Sequence, residues 1–183
     1  MALQRQLERA RTKNFTRNFF IPECQFRAIL TEESIQKSIR QIKETLLEVD
    51  KKEECIRSIL SDGQRTYAIL ILISCEPLIY KLIEHDMRGE DRSLDSRLPW
   101  NEEELNPIFS SEPGAAQRFV EKQWELLAPI FKRGCRHAVF PNTMYLPFLH
   151  EEDMDSGGFG DVFKATLPAG HQELLSTNDE VSL

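Results

Sequence analysis

Ala116-Gln117-Arg118-Phe119-Val120-Glu121-Lys122-Gln123-Trp124-Glu125-Leu126-Leu127-Ala128-Pro129-Ile130-Phe131 is the stretch on which the fold turns. Ala116, Val120, Trp124, Leu127 and Phe131 fall at offsets of four, four, three and four, the period of a helix with one buried stripe. Trp124 at the middle of that stripe reads as a core anchor. Pro129 has no N–H to give, so the last turn should kink or tighten there. Beyond Gly134 the period changes to short apolar runs, His137 to Phe140, Met144 to Leu149 and Asp161 to Leu167, which read as extended. The chain therefore passes from α to β near residue 135.

Upstream the same helical period recurs. Thr31 can cap a helix whose first turn carries Glu32 and Glu33, with Ile35, Ile39, Ile42 and Leu46 on one stripe. Tyr67 to Ser74 is apolar nearly all round, as a buried helix requires, and its β-branched residues leave a strand open. Pro77 can then start a further helix carrying Leu78, Ile79, Leu82 and Ile83. Residues 86–114, punctuated by Gly89, Pro99, Pro107, Pro113 and Gly114, read as a long surface connection. The fold class is mainly α, with a helical body over 1–135, an extended segment and β-hairpin over 136–170, and a mobile tail over 171–183 without a further strand.

The composition bounds the function. The chain has 183 residues, 40% hydrophobic, and a net charge of −7, enough apolar surface for a core and a poor match to nucleic-acid phosphates. Residues 1–20 are locally basic, with Arg5, Arg9, Arg11, Lys13 and Arg17 against Glu8. With Leu3 and Leu7 on one face, they read as a solvated helix packed on the body and not as a targeting presequence. The longest apolar run, Ala68 to Ser74, is too short for a membrane span, so an intracellular protein, cytoplasmic or nuclear, is expected. Cys24, Cys55, Cys75 and Cys135 are scattered, and Cys135 with His137 forms an isolated pair without the spacing of a zinc module. No metal site is expected.

One segment carries chemistry: Met154-Asp155-Ser156-Gly157-Gly158-Phe159-Gly160-Asp161-Val162-Phe163-Lys164-Ala165. It resembles the glycine-rich loop that opens a protein kinase domain. Asn14-Phe15-Thr16-Arg17-Asn18-Phe19-Phe20-Ile21-Pro22-Glu23, Gln123-Trp124-Glu125-Leu126-Leu127-Ala128-Pro129-Ile130-Phe131 and Leu146-Pro147-Phe148-Leu149 are similar to the region that precedes the kinase domain in fungal proteins of this family. The resemblance implies the first two strands of a kinase N-lobe and binding of ATP with Mg²⁺ through Gly157, Gly158, Phe159, Gly160 and Val162. In that pattern Gly157 and Gly160 are the second and third glycines, Phe159 is the tip aromatic, Val162 faces adenine, and protein serine or threonine is the phosphoryl acceptor.

Asp155 stands where the family has its first glycine, and Glu151, Glu152 and Asp153 crowd the same strand. Carboxylates beside a triphosphate weaken its binding unless a metal offsets them. The 183 residues hold no strand lysine of the V-A-I-K type, no H-R-D catalytic loop and no D-F-G metal motif, and Lys164 is not the phosphate-binding lysine. The chain is thus expected to be the N-terminal portion of a kinase-like protein, ending just after the loop and inactive alone. The second reading is a helical protein-interaction or self-associating module with a vestigial loop.

Overall fold

The computed structural model describes residues 2–45, 47–86, 93–133, 139–157, 160–173 and 181–182, with 151–157, 160–163 and 181–182 described as backbone. Mainly α is what it shows: eight α-helices among the described residues, against strands that are short except for one hairpin. The helices are α1 (Ala2–Ala10), α2 (Glu23–Ile29), α3 (Glu32–Gln41), α4 (Val49–Asp62), α5 (Gln64–Leu72), α6 (Ile79–Asp86), α7 (Glu102–Ile108) and α8 (Ala115–Lys122). None is long and apolar enough to cross a membrane.

The all-apolar segment becomes α5, the central helix, which packs against α1, α4, α6 and α8. Thr66 through Ile71 are all buried, because neighbours on every side remove their apolar surface from water. Gly63 separates α4 from α5 and offers no side chain to cap the new helix. Asp95 supplies the cap from a distance, accepting from Arg65 N at 2.9 Å and Thr66 N at 2.8 Å. A Cβ at Gly63 would lie 3.0 Å from Leu94 Cδ1 and 3.2 Å from Ile59 Cα, so glycine lets the segment carrying Asp95 cross this joint closely.

Other helices follow their sequence signals. Thr31 Oγ1 accepts from Ser34 N and caps α3, whose Ile35 and Ile39 are buried. That helix ends at Gln41, so Ile42 is half-buried beyond it, and Leu46 lies outside the described residues. Pro77 lies in a 3-10 turn, Glu76–Leu78, that leads into α6. Leu3 and Leu7 of α1 are buried, as the basic amphipathic start implies.

Within the helical body the structure differs from the expectation at two places. The surface connection expected over 86–114 is overturned where it is described, 87–92 lying outside the described residues: Leu94, Trp100, Leu105, Ile108 and Phe109 enter the core, and α7 starts with a reciprocal capping box between Asn101 and Glu104. Their irregular spacing hides them, because an irregular run followed by a seven-residue helix buries apolar residues without a sustained period. The second concerns Trp124. The α-helix stops at Lys122 and tightens into a 3-10 turn over Gln123–Glu125, which rotates the inward face onto Phe119, Gln123 and Leu126. Trp124 is left half-buried, and the buried tryptophan is Trp100, 1% exposed, with the Arg97 guanidinium 3.9 Å from its ring centroid. Gln123 fixes it by accepting from Trp100 N and donating to Trp100 O, both at 2.8 Å.

Among the described residues the strands form three small sheets. β1 (Thr12–Lys13) and β2 (Phe19–Phe20) make an N-terminal hairpin, and β3 (Phe131–Lys132) runs parallel to β6 (Gln172–Glu173). β4 (Glu151–Gly157) and β5 (Gly160–Leu167) form the long antiparallel hairpin, and β7 (Val181–Ser182) pairs with the end of β5. The expected tail over 171–183 without a strand is therefore corrected at both ends. His171 and Gln172 are 2% and 1% exposed, and Val181–Ser182 satisfies backbone groups on the second edge of β5. The extended reading of Met144 to Leu149 is met only at its end, where Leu149 N donates to Thr166 O at 2.8 Å and continues the hairpin ladder.

Candidate functional site

The hairpin's register decides what its glycines can do. Glu151 pairs with Ala165, Glu152 with Lys164 and Asp153 with Phe163; an irregularity at Met154 then brings Asp155 opposite Val162, Ser156 opposite Asp161 and Gly157 opposite Gly160. The two glycines thus close the ladder as facing partners across a two-residue connection. Without a Cβ on either, the end of the ribbon leaves room for a ligand to approach main-chain groups. Val162 lies two residues along β5 from Gly160, opposite Asp155. Gly158, Phe159, Cys135 and His137 fall outside the described residues.

The charge around this turn is acidic. Glu151, Glu152, Asp153 and Asp155 lie along β4, and Asp161 follows Gly160 on β5, so acidic residues flank both sides of the turn. Lys164 pairs in register with Glu152, four positions from Gly160 on the way out of the turn. An anion at this turn would meet an unfavourable local charge.

The three sequence blocks that accompany the glycine motif converge on its base. The N-terminal block supplies β2 and the tip of the β1–β2 hairpin, and the tip holds buried Asn14. Asn14 Oδ1 accepts from Asn18 N at 2.8 Å and Thr16 Oγ1 at 2.9 Å, while Nδ2 donates to Leu146 O at 2.9 Å. Phe15 N adds a bond to Phe148 O at 2.8 Å. Phe148 then stacks on Phe131 with ring centroids 5.5 Å apart, and Phe140 meets Phe131 edge-on. On the other side of the N-terminal hairpin, Arg11 grips Glu125 through two bonds of 2.8 Å, and Ile21 N donates to Glu125 O. Lys122 Nζ also reaches Glu125 Oε1, which leaves this buried carboxylate fully paired.

A second cluster ties the far end of the hairpin to the helices. After β5 the chain turns through Pro168-Ala169-Gly170-His171, with His171 N donating to Pro168 O. Gly170 adopts φ +86°, and a Cβ there would sit 3.0 Å from Cys24 N. His171 Nε2 accepts from Glu23 N at 3.1 Å, and Nδ1 lies 2.9 Å from Pro129 O. A carbonyl can only accept and an N–H can only donate, so the ring is the neutral tautomer protonated at Nδ1. Burial lowers the His171 pKa, with the Pro129 bond opposing it. The Glu23 carboxylate is paired with Arg27 and with Arg65, each at 2.8 Å.

None of His171, Glu23 and Arg65 stood out by spacing, because they lie in three distant parts of the chain. The proline-to-glycine turn at 168–170 was the one local signal that pointed toward His171. Away from the hairpin, a cleft of about 520 Å³ lies between α1 and α3, with Leu3, Gln6, Lys37, Gln41 and Glu76 among its lining residues. Glu76 is nearly buried, and that burial raises its pKa.

Comparison of the chain with models of protein families, with curated proteins and with solved structures finds no match.

Proposed function

We propose that this chain presents a nucleotide-approaching glycine hairpin of protein-kinase type on a helical body. The observation that supports this reading is the hairpin register, in which Gly157 and Gly160 face each other across the Gly158-Phe159 connection. The ligand would be ATP with Mg²⁺, held by main-chain groups around Gly157, Gly158, Phe159 and Gly160, with Val162 as the apolar contact for the base. Bound Mg²⁺ would supply the positive charge that the acidic strand lacks. The chain's own part is to shape the loop and hold it against the helical body. Phosphoryl transfer is not assigned to these 183 residues, which contain neither a catalytic-loop Asp nor a metal-binding D-F-G sequence.

The test is a calorimetric titration of ATP into the chain, with and without Mg²⁺, alongside Gly157→Val and Gly160→Val. Saturable heat that requires Mg²⁺ and disappears in both variants is the expected result. No binding up to millimolar ATP overturns the reading.

A second reading, a helical interaction module, draws on the α1–α3 cleft, which is remote from the glycines in sequence and lined by mixed apolar and charged residues. Concentration-dependent self-association in light scattering, lost on Lys37→Glu at the cleft, would favour it over the nucleotide reading.

A further inference from the structure

We propose that His171 is an acid-sensitive latch that holds the C-terminal end of the glycine hairpin to the helical body and releases it when the ring takes a second proton. The geometry carries this. His171 is 2% exposed, and both of its nitrogens are committed: Nδ1 to Pro129 O, 42 residues away, and Nε2 to Glu23 N–H, 148 residues away. A proton on Nε2 would set one donor against another at 3.1 Å, so the imidazolium cannot keep the Glu23 bond. The same residue's backbone carbonyl accepts from Phe131 N at 2.9 Å and begins the parallel pairing of β3 with β6. Loosening His171 therefore releases three attachments of the 168–173 segment together.

The surroundings compensate a charged ring only in part: the Pro129 carbonyl and the Glu23 carboxylate favour it, and burial outweighs both. From α2, the nearest carboxylate is Glu23, whose oxygens are held by Arg27 and Arg65. From α5, Arg65 contributes a like charge. Phe20 of β2 meets the imidazole edge-on at 5.5 Å, and Cys24 packs on Gly170 through its backbone. Lys132 of β3 and Glu173 of β6 pair with each other at 3.8 Å. Burial lowers the folded-state pKa, so below pH 6.5 the released segment binds more protons than the docked one. The attachment is complete above that value and weakens as pH falls. This latch operates whether or not the glycine end binds nucleotide.

Amide hydrogen exchange of the wild-type chain between pH 7.5 and 5 tests it, with rates corrected for the intrinsic pH dependence. The Glu23 and Phe131 amides should lose protection progressively below pH 6.5, by at most about tenfold per unit and only until the docked ring itself takes the proton, while the Tyr67 amide in α5 holds constant. Protection of Glu23 and Phe131 that stays flat, or that falls in step with Tyr67, overturns the latch. In His171→Gln, where the side-chain amide can accept and donate without titrating, the pH slope should vanish; a slope that persists assigns the effect to another group and also overturns it. A second measurement needs no variant: ring ¹⁵N shifts at pH 7.5 should show His171 protonated at Nδ1 alone, and the Nε2-protonated tautomer would refute the arrangement.

Discussion

Asn14→Ala tests the joint between the N-terminal hairpin and the segment that leads into β4. Asn14 is 5% exposed and makes three side-chain bonds, to Asn18 N, Thr16 Oγ1 and Leu146 O. Each is worth about 1 kcal/mol net, and truncation also strips partners from groups in a part-buried setting, so the loss should be about 3 kcal/mol. For a chain of this size that lowers Tm by about 6–12 °C. The urea midpoint should fall by about 1.5 M if the slope is near 2 kcal/mol per M. Asn14→Asp sharpens the test, because it keeps the Oδ1 acceptor but turns an oxygen toward Leu146 O, where wild type has a donor. It should be at least as destabilised as the alanine variant. Equilibrium urea unfolding followed by circular dichroism is the assay. A midpoint shift below about 0.3 M in Asn14→Ala, with the slope unchanged, would refute the bond-by-bond reasoning, since it corresponds to about half of one such bond.

Two further predictions concern the helical body. Asp95→Ala removes both acceptors at the start of α5 and should cost about 2–3 kcal/mol in the same urea assay, with Asp95→Asn recovering part of it; an alanine variant as stable as wild type would show that the cap contributes nothing. Thiol reactivity should separate two cysteines, because Cys24 is exposed whereas burial pushes Cys55 up to about 12. At pH 8 about one Cys55 in ten thousand is thiolate, so native-state iodoacetamide should label Cys24 and spare Cys55 until the chain unfolds; equal rates by peptide mass spectrometry would contradict the burial.

Several elements were legible in the residues because their signals are local. The cap at Thr31, the stripe of Ile35 and Ile39, the apolar run that became α5 and the proline that precedes α6 each depend on a few adjacent side chains. The hairpin expected from the resemblance to a kinase glycine-rich loop has its ladder end at Gly157 and Gly160. Trp124 shows how such reading fails: a periodic stripe holds only while the helix keeps its pitch, and three residues of 3-10 geometry were enough to move the Trp off the core face. Residues 93–114 failed differently. Leu94 and Trp100 are buried by what lies across from them, α4, α5 and Gln123, and no pattern within the segment encodes that.

The sequence by itself determined the helical class, the start of α3 at its Thr31 cap, the amphipathic α1 and an extended run over Asp161 to Leu167. These follow from backbone propensity and hydrophobic period, which act over one or two turns of chain. Only the tertiary structure decided that Asn14 bonds Leu146, that Asp95 caps α5, and that His171 is buried between Glu23 and Pro129. Each of these is a polar group taken wholly or partly from water and satisfied by a partner between 29 and 148 residues away. Their free energy exists only after the helices have packed and excluded solvent, so the residues that hold the glycine hairpin in place carry no local mark of that role.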